Sequence, residues 1–155
     1  ATLLAAHSVF GMMPGVDRPA LATTIPTRHQ DAVLLDVGAT IDCRPRHLLQ
    51  FAAMGTVYAK KVLGIKSPRV GLLSIGEEAI KGNELTRDAY HLLSDSQLEF
   101  IGNLEARDLY GGDADVIVCD GFTGNIVLKL TEGIISHLME WFQNLFYTHP
   151  NYTFG

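Results

Sequence analysis

A chain of 155 residues, 47% hydrophobic and only 19% charged, can bury the core of one ordinary domain, which excludes a disordered segment. A net charge of −5 argues against a nucleic-acid partner, yet leaves a small anion open, because local N–H groups and one Lys outweigh a distant net charge. Two cysteines outside any Cys-x-x-Cys pair fit a reducing cytoplasm, six scattered histidines show no metal-ligand spacing, and no stretch is apolar enough to span a bilayer.

Residues 1–10 read as a helix ended by Gly11 and Pro14. The chain thus opens inside a helical pattern and stops at Gly155 after a polar, aromatic tail, as a piece of a longer protein would. Pro14-Gly15 and Arg18-Pro19 mark a turn-rich link. Residues 21–25 read as a strand, and residues 32–37 as a stronger one whose near-continuous apolar run suits burial on both faces. Pro45 opens a helix to about Leu63, with Leu48, Ala52, Gly55, Ala59 and Val62 on one face and Gly64 placed to end it. A strand over 69–75, a loop over 76–83 and a helix over 84–93 follow. Residues 98–101 read as a strand, 105–110 as a short turn or helix, 116–119 as the last strand and 125–147 as a long helix. The alternation predicts a single α/β domain over residues 1–155, with a largely parallel sheet covered by helices on both faces. Ligands in such sheets sit at the carboxyl ends of the strands, where the loops here begin at Gly38, Gly76, Gly102 and Gly121.

Two of these loops carry the chemistry. In Asp120-Gly121-Phe122-Thr123-Gly124-Asn125, a strand leads through a small-residue turn into a helix. Backbone N–H groups at a helix N-terminus favour an anion, often a phosphate, and two glycines let the backbone approach a ligand closely. Thr123 or Asn125 offers a capping oxygen, and an ordinary strand-to-helix connection is the plainer alternative. The loop from Ser74 to Glu84 packs Glu77, Glu78, Lys81, Gly76 and Gly82 into few residues. Lys81 there reaches a phosphate or a polarised carbonyl as a point charge, with the acids orienting it or shaping the loop. A solvated loop with weak local ion pairs is the alternative. Asp36 is placed to bind neighbouring loop amides and Asp42 to cap the next helix. Arg107 suits an exposed ion pair better than an anion site, Cys119 reads as a core thiol, and Cys43 has no evident base nearby. On the last helix, Ile134, Leu138, Trp141, Phe142 and Leu145 share one side, and Ser136, His137, Glu140, Gln143 and Asn144 the other. Packing in the core or against a partner subunit fits it better than a membrane surface, since that polar side carries no Lys or Arg.

Five collinear stretches together resemble the PlsX family, the acyl-acyl-carrier-protein:phosphate acyltransferases of bacterial phospholipid synthesis. They are Pro14-Gly15-Val16-Asp17-Arg18-Pro19-Ala20-Leu21, Leu35-Asp36-Val37-Gly38-Ala39, Gln50-Phe51-Ala52-Ala53-Met54-Gly55, Ile75-Gly76-Glu77-Glu78 with Lys81-Gly82-Asn83, and Cys119-Asp120-Gly121-Phe122-Thr123-Gly124-Asn125. The resemblance runs to roughly Gly133. It implies a fold like that of isocitrate and isopropylmalate dehydrogenases and of phosphate acetyltransferase. The implied reaction is attack of inorganic phosphate on the thioester of a fatty acyl carrier protein, with no cofactor and no metal. Lys81 and Asn125 are then the catalytic residues, and Gly76, Asn83, Asp120, Gly121, Thr123 and Gly124 the phosphate and substrate contacts. The resemblance also implies a cytoplasmic homodimer, peripherally associated with the inner face of the cell membrane, with the helical region after the Gly-Asn turn taking part in these contacts, which leaves both the partner and the membrane reading of that helix open. The sequence departs from the family in lacking its Asp- and Gly-rich first segment and its C-terminal Gly-rich stretch with His-Gly, and in having Thr40 where many members have Asn. The competing readings are a phosphate acetyltransferase-like enzyme acting on acyl-coenzyme A, an NAD-dependent dehydrogenase of the related fold, and a non-catalytic module binding a carrier protein or a lipid surface. The dehydrogenase ranks low, because no Gly-x-Gly-x-x-Gly follows a strand.

Overall fold

A computed structural model describes residues 15–148; the helix expected over residues 1–10 lies outside them. Five strands, β1 (Ala22–Ile25), β2 (Ala32–Leu35), β3 (Arg69–Leu73), β4 (Glu99–Leu104) and β5 (Val116–Val118), form one sheet in the order β1-β2-β5-β3-β4. β1 runs antiparallel to β2, and every other pair is parallel. Among the described residues, three α-helices connect or follow them: α1 (Pro45–Lys61), α2 (Glu84–Ser94) and α3 (Gly121–Thr148). A single 3₁₀ turn, Ala106–Asp108, lies between β4 and β5.

The alternation of side chains along each strand splits the core in two. Val33 and Leu35 of β2, Val70 and Leu72 of β3, and Val116 and Val118 of β5 face α1 and α2, where they meet Leu48, Phe51, Ala52, Ala59, Ala89 and Leu93. Ala32, Leu34, Leu73, Ile117 and Cys119 face the other way, under Leu109 and the first turns of α3 at Val127 and Leu128. Helices thus cover both faces, as the continuous apolar runs of β2 and β5 require. Gly55 brings α1 close to the sheet: a Cβ there would stand 2.5 Å from Val116 Cγ1 and 2.7 Å from Leu35 Cδ1.

Several boundaries differ from the sequence reading. β2 stops at Leu35 because the Asp36 carboxylate gathers the next amides into a turn. β3 stops at Leu73, and Ile75 is 80% exposed. β4 continues through Gly102, which does not begin the loop; the register with β3 shifts there, and Gly102 takes a φ of +102° that suits only glycine. Val62 lies beyond α1 and is exposed. The α1 N-terminus is closed by His47, whose Nδ1 accepts from Arg44 N–H at 3.0 Å, and not by Asp42. Burial lowers the His47 pKa, in keeping with a neutral imidazole acting as acceptor. The last helix begins at Gly121, four residues before Asn125.

Candidate functional site at the carboxyl ends of the parallel strands

The loop after β2 is organised by one buried carboxylate. Asp36 Oδ1 accepts from the N–H groups of Leu21, Gly38 and Ala39 at 2.9, 3.1 and 2.9 Å, and Oδ2 accepts from Thr40 N–H at 2.6 Å. A buried charge needs such donors, and the four amides fix the loop in return. Thr40 adds a hydroxyl bond to the Pro19 carbonyl at 2.9 Å, tying in the segment before β1.

The loop after β5 is seated on that loop. Asp120 Oδ1 accepts from Phe122 and Thr123 N–H at 3.0 and 2.9 Å, and Oδ2 accepts from the Thr123 hydroxyl at 2.7 Å. Asp120 is therefore the cap of α3, in place of Thr123 or Asn125. Gly121 N–H donates to the Thr40 carbonyl at 2.8 Å, and Gly124 N–H donates to the Asp120 carbonyl at 3.0 Å. The first four amides of α3 are thus engaged within the protein, where the sequence led us to expect open donors. The glycines serve close packing of backbone on backbone. A Cβ on Gly121 would stand 2.7 Å from the Thr40 carbonyl oxygen, and one on Gly124 would run into the Asp36 carbonyl.

The loop after β3 carries Lys81. Its turn is closed by Lys81 N–H donating to the Glu78 carbonyl at 2.9 Å, and Asn103 Nδ2 donates to the same oxygen at 2.9 Å. The Lys81 stem lies over Gly76, where a Cβ would come within 2.8 Å of Lys81 Cγ. Asn83 caps α2 by accepting from Thr86 N–H at 2.9 Å, and the Gly82 carbonyl accepts from Arg87 Nη1 at 2.7 Å. The acids do not orient Lys81. Glu77 leans 3.7 Å from Arg107, an exposed pair worth little, and Arg107 turns instead to Glu105 at 3.2 Å. Among the described residues, Lys81 forms no ion pair and the Asn125 amide no hydrogen bond. Asn125 is instead in contact range of Gly38, whose φ of +134° permits the turn of the Asp36 loop beneath it.

Between the loops after β3 and β5 lies a cavity of about 470 Å³. Leu73, Ile75, Ala106, Cys119 and Val127 make it mostly apolar; Ser74, Thr86 and Thr123 add hydroxyls, and Asn83 and Asp120 line it too. Lys81 and Asn125 do not line this cavity. Lys81 immediately precedes the lining residue Gly82 in the loop after β3, and Asn125 follows the lining residue Thr123 by two positions in the first turns of α3, the helix after the adjacent strand β5. Burial pushes the Cys43 thiol up to about 11 and raises that of Cys119 further, so neither is a thiolate nucleophile near neutral pH. The cavity's lining suits a substrate with an apolar arm.

Two polar residues of this region received no role from the sequence: Ser74, which only opened the Lys81 loop, and Asn103. Ser74 Oγ and Asn103 Oδ1 are buried without a hydrogen-bond partner. The signal for Asn103 was a polar side chain closely following an apolar strand, hidden because Gly102 reads as a strand terminator.

The second half of α3 leaves the domain. Tyr110 Oη and Thr131 Oγ1 stand 2.6 Å apart, and beyond them Ile134, Ile135, Leu138, Met139, Trp141 and Phe142 are all exposed. Packing of this face in the core, one of the expected roles, does not occur among the described residues. No helix is long and apolar enough to cross a membrane among them either.

Residues 1–149 match the model of a family described as fatty acid synthesis protein. The chain is 55% identical over 140 residues to a phosphate acyltransferase of Acidobacterium capsulatum, covering 90% of this chain and 42% of that protein. It is 54% identical over 140 residues to a phosphate acyltransferase of Pelotomaculum thermopropionicum, covering 90% and 41%. The chain therefore spans about two fifths of the length of these curated relatives. A crystal structure of a branched-chain phosphotransacylase from Enterococcus faecalis shares the fold at a TM-score of 0.58 and 20% identity, over 79% of this chain and 54% of that one.

Proposed function

Since this chain belongs to the fatty acid synthesis protein family, we propose that the protein carrying it is a phosphate acyltransferase that converts acyl-acyl-carrier-protein and inorganic phosphate to acyl phosphate and free carrier protein, for phospholipid synthesis. A phosphate oxygen attacks the thioester carbonyl carbon, and the carbonyl electrons collect on its oxygen. The carbon–sulfur bond then breaks, and the carrier sulfur leaves as a thiolate that takes a proton from solvent. Phosphate is itself a nucleophile near neutral pH, so the reaction requires neither a catalytic Ser or Cys nor a cofactor. It requires an anion held against the thioester and a donor for the developing oxyanion.

Lys81 supports this reading above all: close in sequence to two acids yet, among the described residues, in no ion pair, and next in the chain to Gly82 of the mostly apolar cavity lining. In this reading Lys81 binds phosphate or the oxyanion, and Asn125 donates to the same centre. Gly76 makes room for the Lys81 stem, Asn83, Asp120 and Thr123 line the substrate space, and Gly121 and Gly124 seat the helix that presents Asn125. Hydroxylamine trapping of acyl phosphate from the complete protein tests the reading. Lys81→Ala and Asn125→Ala should each lower turnover by about 100-fold or more, as for loss of an oxyanion donor, with the melting temperature little changed. Near wild-type rates in both would remove the site. Acyl phosphate from a coenzyme A thioester alone would favour the acetyltransferase-like reading, and none from either thioester would leave a binding module.

The reading extends to assembly and place. The exposed apolar half of α3 is assigned to a second copy of the protein, since its polar side offers no Lys or Arg for anionic lipid. The resulting homodimer is placed in the cytoplasm, peripherally on the inner face of the membrane.

A further inference from the structure

The loop that presents Lys81 stands on an exposed turn, and its acids lend it no support. What ties it to the sheet is Asn103. The Glu78 carbonyl has two lone pairs, and both are occupied: one by Lys81 N–H from within the turn, the other by Asn103 Nδ2 from outside it, each at 2.9 Å. Asn103 sits at the end of β4, in register with Leu72 of β3, and is 6% exposed. Its Oδ1 is buried without a partner. A buried amide with an orphan oxygen is unfavourable for the sheet by itself, where an apolar side chain of similar size would serve better. The bond it does make reaches the carbonyl that defines the Lys81 turn.

We propose that Asn103 is the positioning residue for Lys81, fixing the 78–81 turn to the rigid end of β4 so that the ammonium holds its place beside the cavity. This rests on the assignment of Lys81 to the phosphate or the oxyanion. A displacement of about 1 Å at a reacting group costs on the order of 100-fold in rate, so a loosened turn lowers kcat without touching the substrate-binding walls.

The test uses Asn103→Leu and Asn103→Gln in the complete protein, read by acyl phosphate formation and by hydrogen exchange. In Asn103→Leu, kcat should fall by about 10- to 100-fold, with KM for the thioester nearly unchanged. Exchange should quicken in residues 76–83 while β3 and β5 stay protected. Asn103→Gln, which keeps an amide donor, should recover part of the rate. In a Lys81→Ala background, Asn103→Leu should cause no further loss, because its effect passes through Lys81. A kcat unchanged by Asn103→Leu, an unchanged exchange in 76–83, or a loss that multiplies with that of Lys81→Ala would overturn the proposal. If Asn103→Leu does not fold, Asn103→Ser is read by the same criteria. Wild-type turnover in Lys81→Ala would instead sink the reading of the site, while the exchange measurement still reports on Asn103.

Discussion

Two carboxylates carry the local architecture, and neither has a cation as its partner. Asp36 and Asp120 both accept backbone amides, and the loops they shape are held together by Gly121 N–H on the Thr40 carbonyl. Gly124 is the tightest point of that junction. Gly124→Ala would press a methyl group onto the Asp36 carbonyl, for which the backbone on one side must move. We expect a destabilisation of about 3 kcal/mol in urea unfolding, at the upper end for overpacking, because the obstacle is main chain and not a side chain that can swing away. Gly133→Ala is the control: nothing lies within 4 Å of a Cβ there, so it should be neutral or slightly stabilising. At this scale the sequence was partly legible. Asp36 beside a glycine after an apolar strand announced a carboxylate-bound turn. The capping role of Asp120 did not, because the apolar period begins only at Ile126 and Gly-Phe-Thr-Gly reads as loop. Nor did the diversion of Glu77 to Arg107, which depends on a second loop that only the folded sheet brings near.

Among the elements, α3 poses the largest energetic question. Its first turns are anchored by Asp120 and by Val127 and Leu128, and its second half exposes Trp141 and Phe142, whose rings meet edge to face at 5.2 Å. Replacing the Asp120 cap by Ala should cost about 1–2 kcal/mol, since three hydrogen bonds to the first turn disappear together. An exposed apolar face of this kind suits a protein or a membrane partner. If that face joins two copies as proposed, Trp141→Ser with Phe142→Ser in the complete protein should shift it from dimer to monomer in sedimentation. A dimer unmoved by the double change, with liposome binding lost, would give the face to the membrane instead. The strands and helices themselves were legible because apolar runs and helical periods are local. The excess at β4 was not: Gly102 bridges a shifted register inside the strand, a conformation that sequence presents as an ending.

For the whole molecule, the candidate site and an Arg69–Asp115 clamp lie at opposite ends of the central strands. Lys81 and Asn125 follow the carboxyl ends of β3 and β5, whereas Arg69 opens β3 and Asp115 immediately precedes β5. Asp115 is nearly buried and accepts from the Arg69 guanidinium at 3.1 and 3.2 Å, from Arg69 N–H at 2.8 Å and from Gln30 Nε2 at 2.9 Å. Burial raises its pKa, but the bonds from the Arg69 side chain and backbone and from Gln30 outweigh it and leave the carboxyl below its ordinary value. A depressed folded pKa contributes stability that is present above the unfolded value, near about 4, and is lost as pH falls through the folded one. Asp115→Asn should therefore lower stability at neutral pH by about 2 kcal/mol, less than for a fully buried pair because the Arg69 side chain is 38% exposed. The gap between wild type and variant should close as pH drops below the carboxylate range, in parallel urea titrations at pH 7 and at about pH 3. Since the clamp sits at the other end of β3 and β5 from the cavity, kcat at neutral pH and low temperature should be unaffected; a loss there without unfolding would show that the two ends are coupled through β5.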